Sequence, residues 1–269
     1  MRRTIIIGTA IAVLVGASAA FAASGFNAYT ATFSITSKKA GTAKSPVPVG
    51  FTQVYTARGL NGDRAAPLTD LKTTIYGLKA NGKYFPTCSR NTIGNAKTDS
   101  VSATGCNPKA EVATGTVNSL LGGKIDPKGP GGPCNPGLDV WNAGGNKVVF
   151  FFTAKTALQC GSLKTGDTNP FYGYVSYQGK NMVLDVPQPA DISTKVASHP
   201  GVWSSLKLEK LTWKKLTTTV KGKKVGYLES IGCKSGKRPW KQSFSAVNYP
   251  GALGGATQTT AVTGSPKCS

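Results

Sequence analysis

Lysine and aromatic residues are interleaved through residues 206–247, and this pattern is the strongest chemical signal in the sequence. Between Lys207 and Lys241 there are ten lysines and one arginine against two glutamates, a net charge of +9. Lysine attracts anions over a long range, and a flat aromatic ring adds contact area for a sugar or a base. The segment is therefore a candidate polyanion-binding site with these residues: Lys207, Lys210, Trp213, Lys214, Lys221, Lys223, Lys224, Lys237, Arg238 and Trp240.

The same pattern also has a purely structural interpretation. Trp213 and Trp240 would then be buried on the core face, while lysine covers the solvent face. On this interpretation the lysines keep an exported protein dispersed and its sheet edges unpaired. The exposure of the two tryptophans distinguishes the alternatives.

The whole chain is strongly basic, with 32 Lys and Arg against 11 Asp and Glu and a net charge of +21. Few of these cations are arginine, and lysine lacks the planar fork that recognises one phosphate or carboxylate in a bidentate manner. The composition therefore favours diffuse attraction to polyanions. The predicted partners are anionic cell-wall polymers, acidic glycans or lipid headgroups, and sequence-specific nucleic-acid recognition is not expected.

Residue arrangements that support catalysis are scarce. His199 is the single histidine, and its place in the turn SHPG favours an exposed loop residue over a member of a catalytic triad. No cofactor motif or nucleophile motif occurs. We predict a non-catalytic structural or binding protein. The alternative is a carboxylate-dependent extracellular polysaccharide hydrolase, whose candidate carboxylates are Asp126, Asp139, Asp167, Asp185 and Asp191.

Six cysteines, an even number in a chain with an export signal, predict three disulfides. The two that are nearest in sequence lie 18 positions apart, unlike the close pairs of zinc sites, so no metal site is predicted. Sequence alone allows 15 pairings. Two pairs flank apparent hairpins and one brackets a polar loop, which favours the bridges Cys88–Cys106, Cys134–Cys160 and Cys233–Cys268.

A β-rich fold must position these groups, because alternation of apolar and polar residues is common and helical periodicity is scarce. In residues 27–35, for example, Tyr29, Ala31 and Phe33 share one face. The other predicted strands are 47–57, 71–78, 111–117, 147–154, 172–177, 181–186, 240–247 and 256–262.

Glycine and proline punctuate these short strands and favour a sandwich or a barrel. We predict an all-β fold of antiparallel, sandwich-like sheets, with at most one or two short helices. The run VVFFF at 148–152 has no polar face and predicts a central strand covered on both sides. Residues 178–180 predict a hairpin turn. One helix is predicted over 191–198, with Asp191 as its N-cap.

Residues 1–22 have the three regions of a signal peptide: the basic pair Arg2 and Arg3, an uncharged stretch, and small residues ending in Ala20-Phe21-Ala22. Cleavage after Ala22 would give a secreted or envelope-associated protein. Later apolar stretches fall short of the roughly 20 residues that span a bilayer, so no transmembrane span is predicted in the mature protein. Residues 23–269 are predicted to form one β-rich domain, or two sub-domains that meet near 122–137.

Three segments carry a resemblance to a known group of proteins: the N-terminal leader, NGKYFPTCS at 81–89 followed by NTIGNAKTDS, and VGYLESIGCKSGKRPWKQSFSAV at 225–247. With this arrangement the chain resembles uncharacterised secreted, β-rich, disulfide-containing proteins of high-GC actinobacteria over most of its length. The resemblance implies an envelope setting and a cysteine-tied terminal hairpin. It implies no activity or ligand.

Overall fold

Antiparallel strands joined by short turns make up most of the fold. The computed structural model describes residues 20–24, 26–60, 64–95, 105–123, 132–154, 170–196, 202–248 and 255–269. The helices are α1 (Arg90–Gly94) and α2 (Ala190–Ser193), with 3-10 turns at Gly82–Tyr84 and Pro108–Ala110. The strands are β1 (Ala20–Ser24), β2 (Asn27–Ile35), β3 (Val47–Val49), β4 (Phe51–Gly59), β5 (Leu68–Tyr76), β6 (Leu78–Ala80), β7 (Glu111–Gly123), β8 (Gly132–Cys134), β9 (Gly137–Gly144), β10 (Lys147–Thr153), β11 (Phe171–Gln178), β12 (Asn181–Pro187), β13 (Val202–Trp213), β14 (Thr217–Val220), β15 (Lys223–Gly226), β16 (Leu228–Ser230), β17 (Trp240–Val247) and β18 (Thr257–Gly264).

Thirteen of the described strands belong to one sheet. Its hydrogen-bonded order is β1-β2-β4-β13-β7-β9-β10-β11-β12-β5-β17-β18, and β8 pairs with β7 beside this path. The strands at the two ends, β1 and β18, contact each other, and β18 also contacts β2. The sheet therefore curls until its edges meet, so that one of its faces is enclosed.

The prediction of an antiparallel, all-β fold is confirmed, but the predicted sandwich of stacked sheets is not seen among the described strands. Two smaller sheets, β14-β15 and β3-β16-β6, accompany the curled sheet. Side chains alternate between a buried and an exposed face in either architecture. Alternation therefore predicts which face is buried, but it does not say whether that face meets a second sheet or the far side of its own sheet.

The enclosed face carries the main hydrophobic core. Tyr29 of β2 stacks on Phe244 of β17 with ring centroids 4.2 Å apart. Phe33 lies 6.2 Å from Trp240, again between ring centroids. Because β2 and β17 lie near opposite ends of the strand order, these contacts join the two edges where the curled sheet closes.

Strand β10 is covered on both faces, as its uninterrupted apolar run predicts. Val148 and Phe150 lie in the main core. Val149 and Phe151 face the other way, into a second cluster that includes Ile93 of α1. The segment that contains α1 therefore covers the outer face of the sheet at this point.

Two predicted strands are divided by glycine. The predicted strand 47–57 breaks at Gly50 into β3 and β4, which belong to different sheets. A Cβ atom at Gly50 would lie 2.4 Å from the carbonyl oxygen of Trp213, so only glycine fits there. The predicted strand 71–78 starts earlier, at Leu68, and breaks at Gly77, whose φ of 66° favours glycine.

Three predicted hairpins are confirmed: β9-β10, β11-β12 and β17-β18. The turn between β11 and β12 is Gly179-Lys180, with a φ of 61° at the glycine. Two predicted disulfides are also confirmed. Cys88–Cys106 and Cys233–Cys268 have Cα separations of 5.7 and 6.0 Å. The third, Cys134–Cys160, involves Cys160, which lies outside the described residues.

The helices differ from the prediction. Helix α2 begins at Ala190 with Pro189 as its N-cap, so Asp191 lies within the first turn rather than at the cap. The Pro189 carbonyl accepts the Ser193 backbone N–H at 3.1 Å, which fixes this start. Helix α1 was not predicted, although the Ser89 hydroxyl caps it by accepting the Thr92 N–H.

Two segments bear on the predicted boundaries. Strands on either side of 122–137 lie in one sheet, since β7 pairs with β9. Strand β1 pairs with β2 from Ala20 to Ser24, so its first three residues precede the predicted cleavage site after Ala22.

Candidate functional site

Lysine dominates the exposed charge of the molecule. Nineteen of the 21 described lysines are exposed, and the other two, Lys72 and Lys214, are half-buried. Each of these two contacts a carboxylate, Asp185 and Glu111 respectively. The seven described carboxylates are all buried or half-buried: Asp70, Glu111, Asp139, Asp185, Asp191, Glu209 and Glu229. The described surface is therefore almost purely cationic.

The predicted binding segment contributes one compact group of lysines. Lys221 and Gly222 form the two-residue turn between β14 and β15, with φ values of 49° and 74°. Lys223 and Lys224 follow directly, and all three lysines are exposed. This hairpin therefore presents three cations at its tip, called the hairpin lysines below.

A second group of exposed lysines lies near the Cys233–Cys268 disulfide. The backbone of Lys237 forms antiparallel bridges with Lys234 on one side and with Lys267 on the other. Like charges directly opposite each other in a sheet are destabilising. These three residues, the bridge lysines, therefore concentrate charge at a cost to the fold.

The remaining predicted lysines lie apart from these groups. Lys207 and Lys210 are exposed on β13, where Lys210 faces solvent between Glu209 and Leu211 of the core. Lys214 is half-buried in its ion pair with Glu111. The predicted lysines are thus distributed over β13, the β14-β15 hairpin and the disulfide loop.

The prediction that Trp213 and Trp240 contact a surface ligand is wrong. Both rings are buried, as the structural interpretation of the segment expects. Trp213 is 3% exposed and Trp240 is 4% exposed. Trp213 packs on Phe51 with ring centroids 5.6 Å apart. Both rings belong to the main hydrophobic core.

Arg238 is also buried, with 1% exposure, and cannot reach a surface ligand. Its guanidinium donates hydrogen bonds to the carbonyl oxygens of Tyr76 and Gly77, each at 2.9 Å, and to the Ser230 hydroxyl at 2.5 Å. Burial lowers the pKa of Arg238 to about 10. Its role is to tie the ends of β5 and β16 to the C-terminal disulfide loop.

Exposed aromatic rings occur instead on β11, a strand that the charge pattern did not single out. Tyr174 is 42% exposed, and Tyr172 on the same outer face is half-buried. Their ring centroids are 6.3 Å apart and their planes are tilted by 48°. Gly173 between them faces inward, where a Cβ atom would lie 2.7 Å from the Phe150 ring. This glycine therefore lets β11 lie close against the core.

Two cations lie over the ring of Tyr172. The Lys147 ammonium is 5.4 Å from the centroid of Tyr172, and the Arg90 guanidinium is 5.8 Å from it. Arg90 belongs to α1, and it donates a hydrogen bond to the carbonyl oxygen of Pro170. Neither cation has a carboxylate partner among the described residues.

The neighbouring strands complete a row across the outer face. Tyr174 is paired with Lys147 of β10 on one side and with Asp185 of β12 on the other. Asp185 is in turn paired with Lys72 of β5, and their charged atoms are 3.2 Å apart. We call Lys147, Tyr174, Asp185 and Lys72, together with Tyr172, the tyrosine row.

A carboxyl pair adjoins this row. Asp70 and Asp185 are hydrogen-bonded to each other through their side chains. Partial burial and the contact with Asp185 raise the pKa of Asp70 to about 6, against the opposing charge of Lys72. Asp70 therefore binds a proton below about pH 6.

A polar cluster that was not predicted from the sequence lies inside the sheet. Glu209 and Tyr55 are paired on β13 and β4, and their side chains are hydrogen-bonded. Burial raises the pKa of Glu209 to about 7, an effect that the Tyr55 contact partly offsets. Glu209, Gln53 and Gln242 line a cavity of about 20 Å³. This volume has room for about one water molecule. Alternation on β13 could have indicated the inward position of Glu209.

The remaining candidates add no site. His199, Asp126 and Asp167 lie outside the described residues. Asp139 is buried and Asp191 is half-buried on α2. Across the described ranges there is no cluster of three or more His, Cys, Asp or Glu side chains suited to a metal ion. No helix in the described part of the chain is long and apolar enough to cross a membrane.

Comparison with known proteins gives no assignment. No protein-family model matches the sequence. A search of curated proteins finds no match either.

Proposed function

We propose that this chain is a non-catalytic, secreted or envelope-associated protein that binds anionic polymers through its exposed lysines. The observation that carries the proposal is the separation of charge: 19 described lysines are exposed without a carboxylate partner, while every described carboxylate is at least half-buried. A surface of this kind attracts any dense array of phosphate, sulfate or carboxylate groups. Disulfides are typical of oxidising compartments, which agrees with a role outside the cytoplasm.

Two features favour binding over a role in solubility alone. The hairpin lysines and the bridge lysines are clustered, whereas spread charges would suffice to keep a protein dispersed. The bridge lysines also lie opposite one another across backbone pairs, an arrangement that destabilises a sheet. A polyanion that neutralises these groups would remove that repulsion.

The geometry of the carboxyl pair argues against the alternative of a polysaccharide hydrolase at this position. Glycosidases hold their two carboxyl groups roughly 5–10 Å apart, with the scissile bond between them. Asp70 and Asp185 interact directly across the paired strands β5 and β12, so this pair does not show that separation.

The test is salt-dependent binding of polyphosphate, which carries charge without sugar rings. We expect affinity to fall steeply as ionic strength rises, because exposed contacts are screened over about 8 Å at physiological salt. Changing the three hairpin lysines, Lys221, Lys223 and Lys224, to Gln should weaken binding about tenfold, since each exposed contact contributes about 0.2–1 kcal/mol.

The matched control removes the same charge from three exposed lysines on separate elements, Lys79, Lys109 and Lys180. It should weaken binding less than the hairpin variant, because these cations are not clustered. Binding that persists unchanged at molar salt, or a hairpin variant as tight as the parent, would show that the lysines serve solubility only.

A further inference from the structure

The tyrosine row joins two kinds of binding group that the lysine clusters do not combine. It offers the exposed ring of Tyr174, and it offers charged and hydrogen-bonding groups on both sides of that ring. We propose that the row is a carbohydrate-binding platform, and that the polymer held by this protein is an acidic polysaccharide. The acidic character rests on the proposed function, while the platform itself rests on the row.

An exposed aromatic ring is suited to binding a sugar. Among the described residues, Tyr174 is one of four large hydrophobic side chains that are prominently exposed. An aromatic face carries negative charge, so it attracts the polarised C–H groups on the flat side of a pyranose ring. The neighbouring Tyr172 ring is half-buried with Lys147 and Arg90 over it, so Tyr174 supplies the face for stacking.

The cations near Tyr174 favour a sugar that carries a negative charge. Lys147 is exposed, directly opposite Tyr174 on the neighbouring strand, and unpaired among the described residues. Together with Arg90 it places positive charge at the edge of the platform. A sugar that stacks on Tyr174 and carries a carboxylate would meet this charge, so acidic sugars should bind more tightly than neutral ones.

Hydrogen-bonding groups lie on the other side of Tyr174, on β12 and β5. Asp185, opposite Tyr174, is held by Lys72 and Asp70 and is still 38% exposed at its side chain. Its oxygens can accept hydrogen bonds from sugar hydroxyls without any rearrangement. The row crosses β10, β11, β12 and β5, and neighbouring strands are about 4.8 Å apart, so it spans about 14 Å. That length suits a short stretch of polymer better than a single sugar.

The platform is rigid, which reduces the entropic cost of binding. Tyr172 packs on the second hydrophobic cluster beneath α1. Helix α1 lies in the loop closed by Cys88–Cys106, and this loop positions Arg90. Gly173 lets the strand that carries both rings rest on Phe150.

The experiment compares three probes on the full-length exported protein: oligogalacturonate, which has rings and charge; polyphosphate, which has charge only; and single-stranded oligodeoxynucleotide, whose bases also stack on aromatic rings. The variant is Tyr174→Ala. We expect it to weaken oligogalacturonate binding on the order of tenfold, the loss typical of one stacking contact. It should leave polyphosphate binding unchanged.

Two controls make the result specific. Tyr84→Ala removes a tyrosine of nearly equal exposure, 41%, from a 3-10 turn outside the row, and it should change nothing. Tyr174→Trp keeps a flat ring and should retain or improve binding of oligogalacturonate. Thermal unfolding of each variant verifies that the fold is intact.

The outcomes separate the two proposals. If Tyr174→Ala binds oligogalacturonate as tightly as the parent while the hairpin variant is weakened, the platform is wrong and the proposed function stands. If the variant loses oligodeoxynucleotide but not oligogalacturonate, the row stacks bases and the carbohydrate assignment is wrong. If the parent binds oligogalacturonate through Tyr174 and does not bind polyphosphate at all, the platform stands and the general polyanion proposal fails.

Discussion

Trp213 and Tyr174 are both aromatic residues on strands of the same sheet, yet they have opposite environments. Trp213 has lysines on its C-terminal side and looked like part of a binding site, but it is 3% exposed. Tyr174 lies in a segment of moderate charge and is 42% exposed. The comparison teaches that local charge density says little about whether a ring on a strand can meet a ligand. Side chains alternate between the two faces of a strand, so exposure of the ring depends on whether its position faces inward or outward.

The largest effect expected from this comparison is on stability. Trp213→Ala should lower the free energy of unfolding by about 3–5 kcal/mol, because a large buried ring that packs on Phe51 is lost. Tyr174→Ala should change it by less than about 0.5 kcal/mol, as is usual at an exposed site. Urea unfolding of both variants measures the difference. Equal losses would contradict the inward and outward assignment of the two rings.

A second contrast lies between neighbours on β13, the buried Glu209 and the exposed Lys210. Burial raises the pKa of Glu209 to about 7 in the folded protein, above its ordinary value of 4.5, so the folded state binds a proton that the unfolded state releases. Stability contributed by the protonated form is therefore complete below about pH 4.5 and is lost as the pH rises to about 7.

Glu209→Gln should remove this dependence and stabilise the protein above pH 7 by about 3 kcal/mol. Lys210→Gln, one position along and on the opposite face, should leave the pH profile unchanged. Urea unfolding between pH 4 and pH 8 gives the measurement. A parent protein that is more stable at pH 8 than at pH 5, with no change in Glu209→Gln, would contradict the buried site.

The smallest effect concerns the exposed end of the tyrosine row. Lys72→Gln should change stability by less than about 1 kcal/mol, because its ion pair with Asp185 is largely solvated. It should also raise the pKa of Asp70 above its value of about 6, since Lys72 opposes the upward shift. Carboxyl NMR titration of the parent and the variant would detect the change. A lowered pKa would contradict the arrangement of the three groups.

The sequence predicted the local features of the fold well. The β11-β12 turn follows from Gly179 between two alternating runs, and the cover on both sides of β10 follows from VVFFF. The disulfides Cys88–Cys106 and Cys233–Cys268 follow from the hairpin and the loop that they close. In each case the determining residues lie within a few tens of positions of one another.

Features that depend on distant strands were not predicted. The tyrosine row needs β5 beside β12 and β10 beside β11, and no local pattern specifies these neighbours. The break at Gly50 depends on the backbone of Trp213, which is remote in sequence. The same limit explains why the sequence favoured a sandwich or a barrel without deciding between them. Glu209 is different, because the alternation of β13 contained the signal and the surrounding lysines obscured it.

The pairing of β4 with β13 has a consequence for the order in which the protein folds. The hydroxyls of Thr52 and Thr212, neighbours across these strands, are separated by 160 positions in the chain. Contacts this distant form slowly, because a long loop must close before they stabilise anything. The sheet therefore cannot close before β13 is available to pair with β4 and β7. Its final closure also waits for β17 and β18, which lie at the C-terminal end of the described chain.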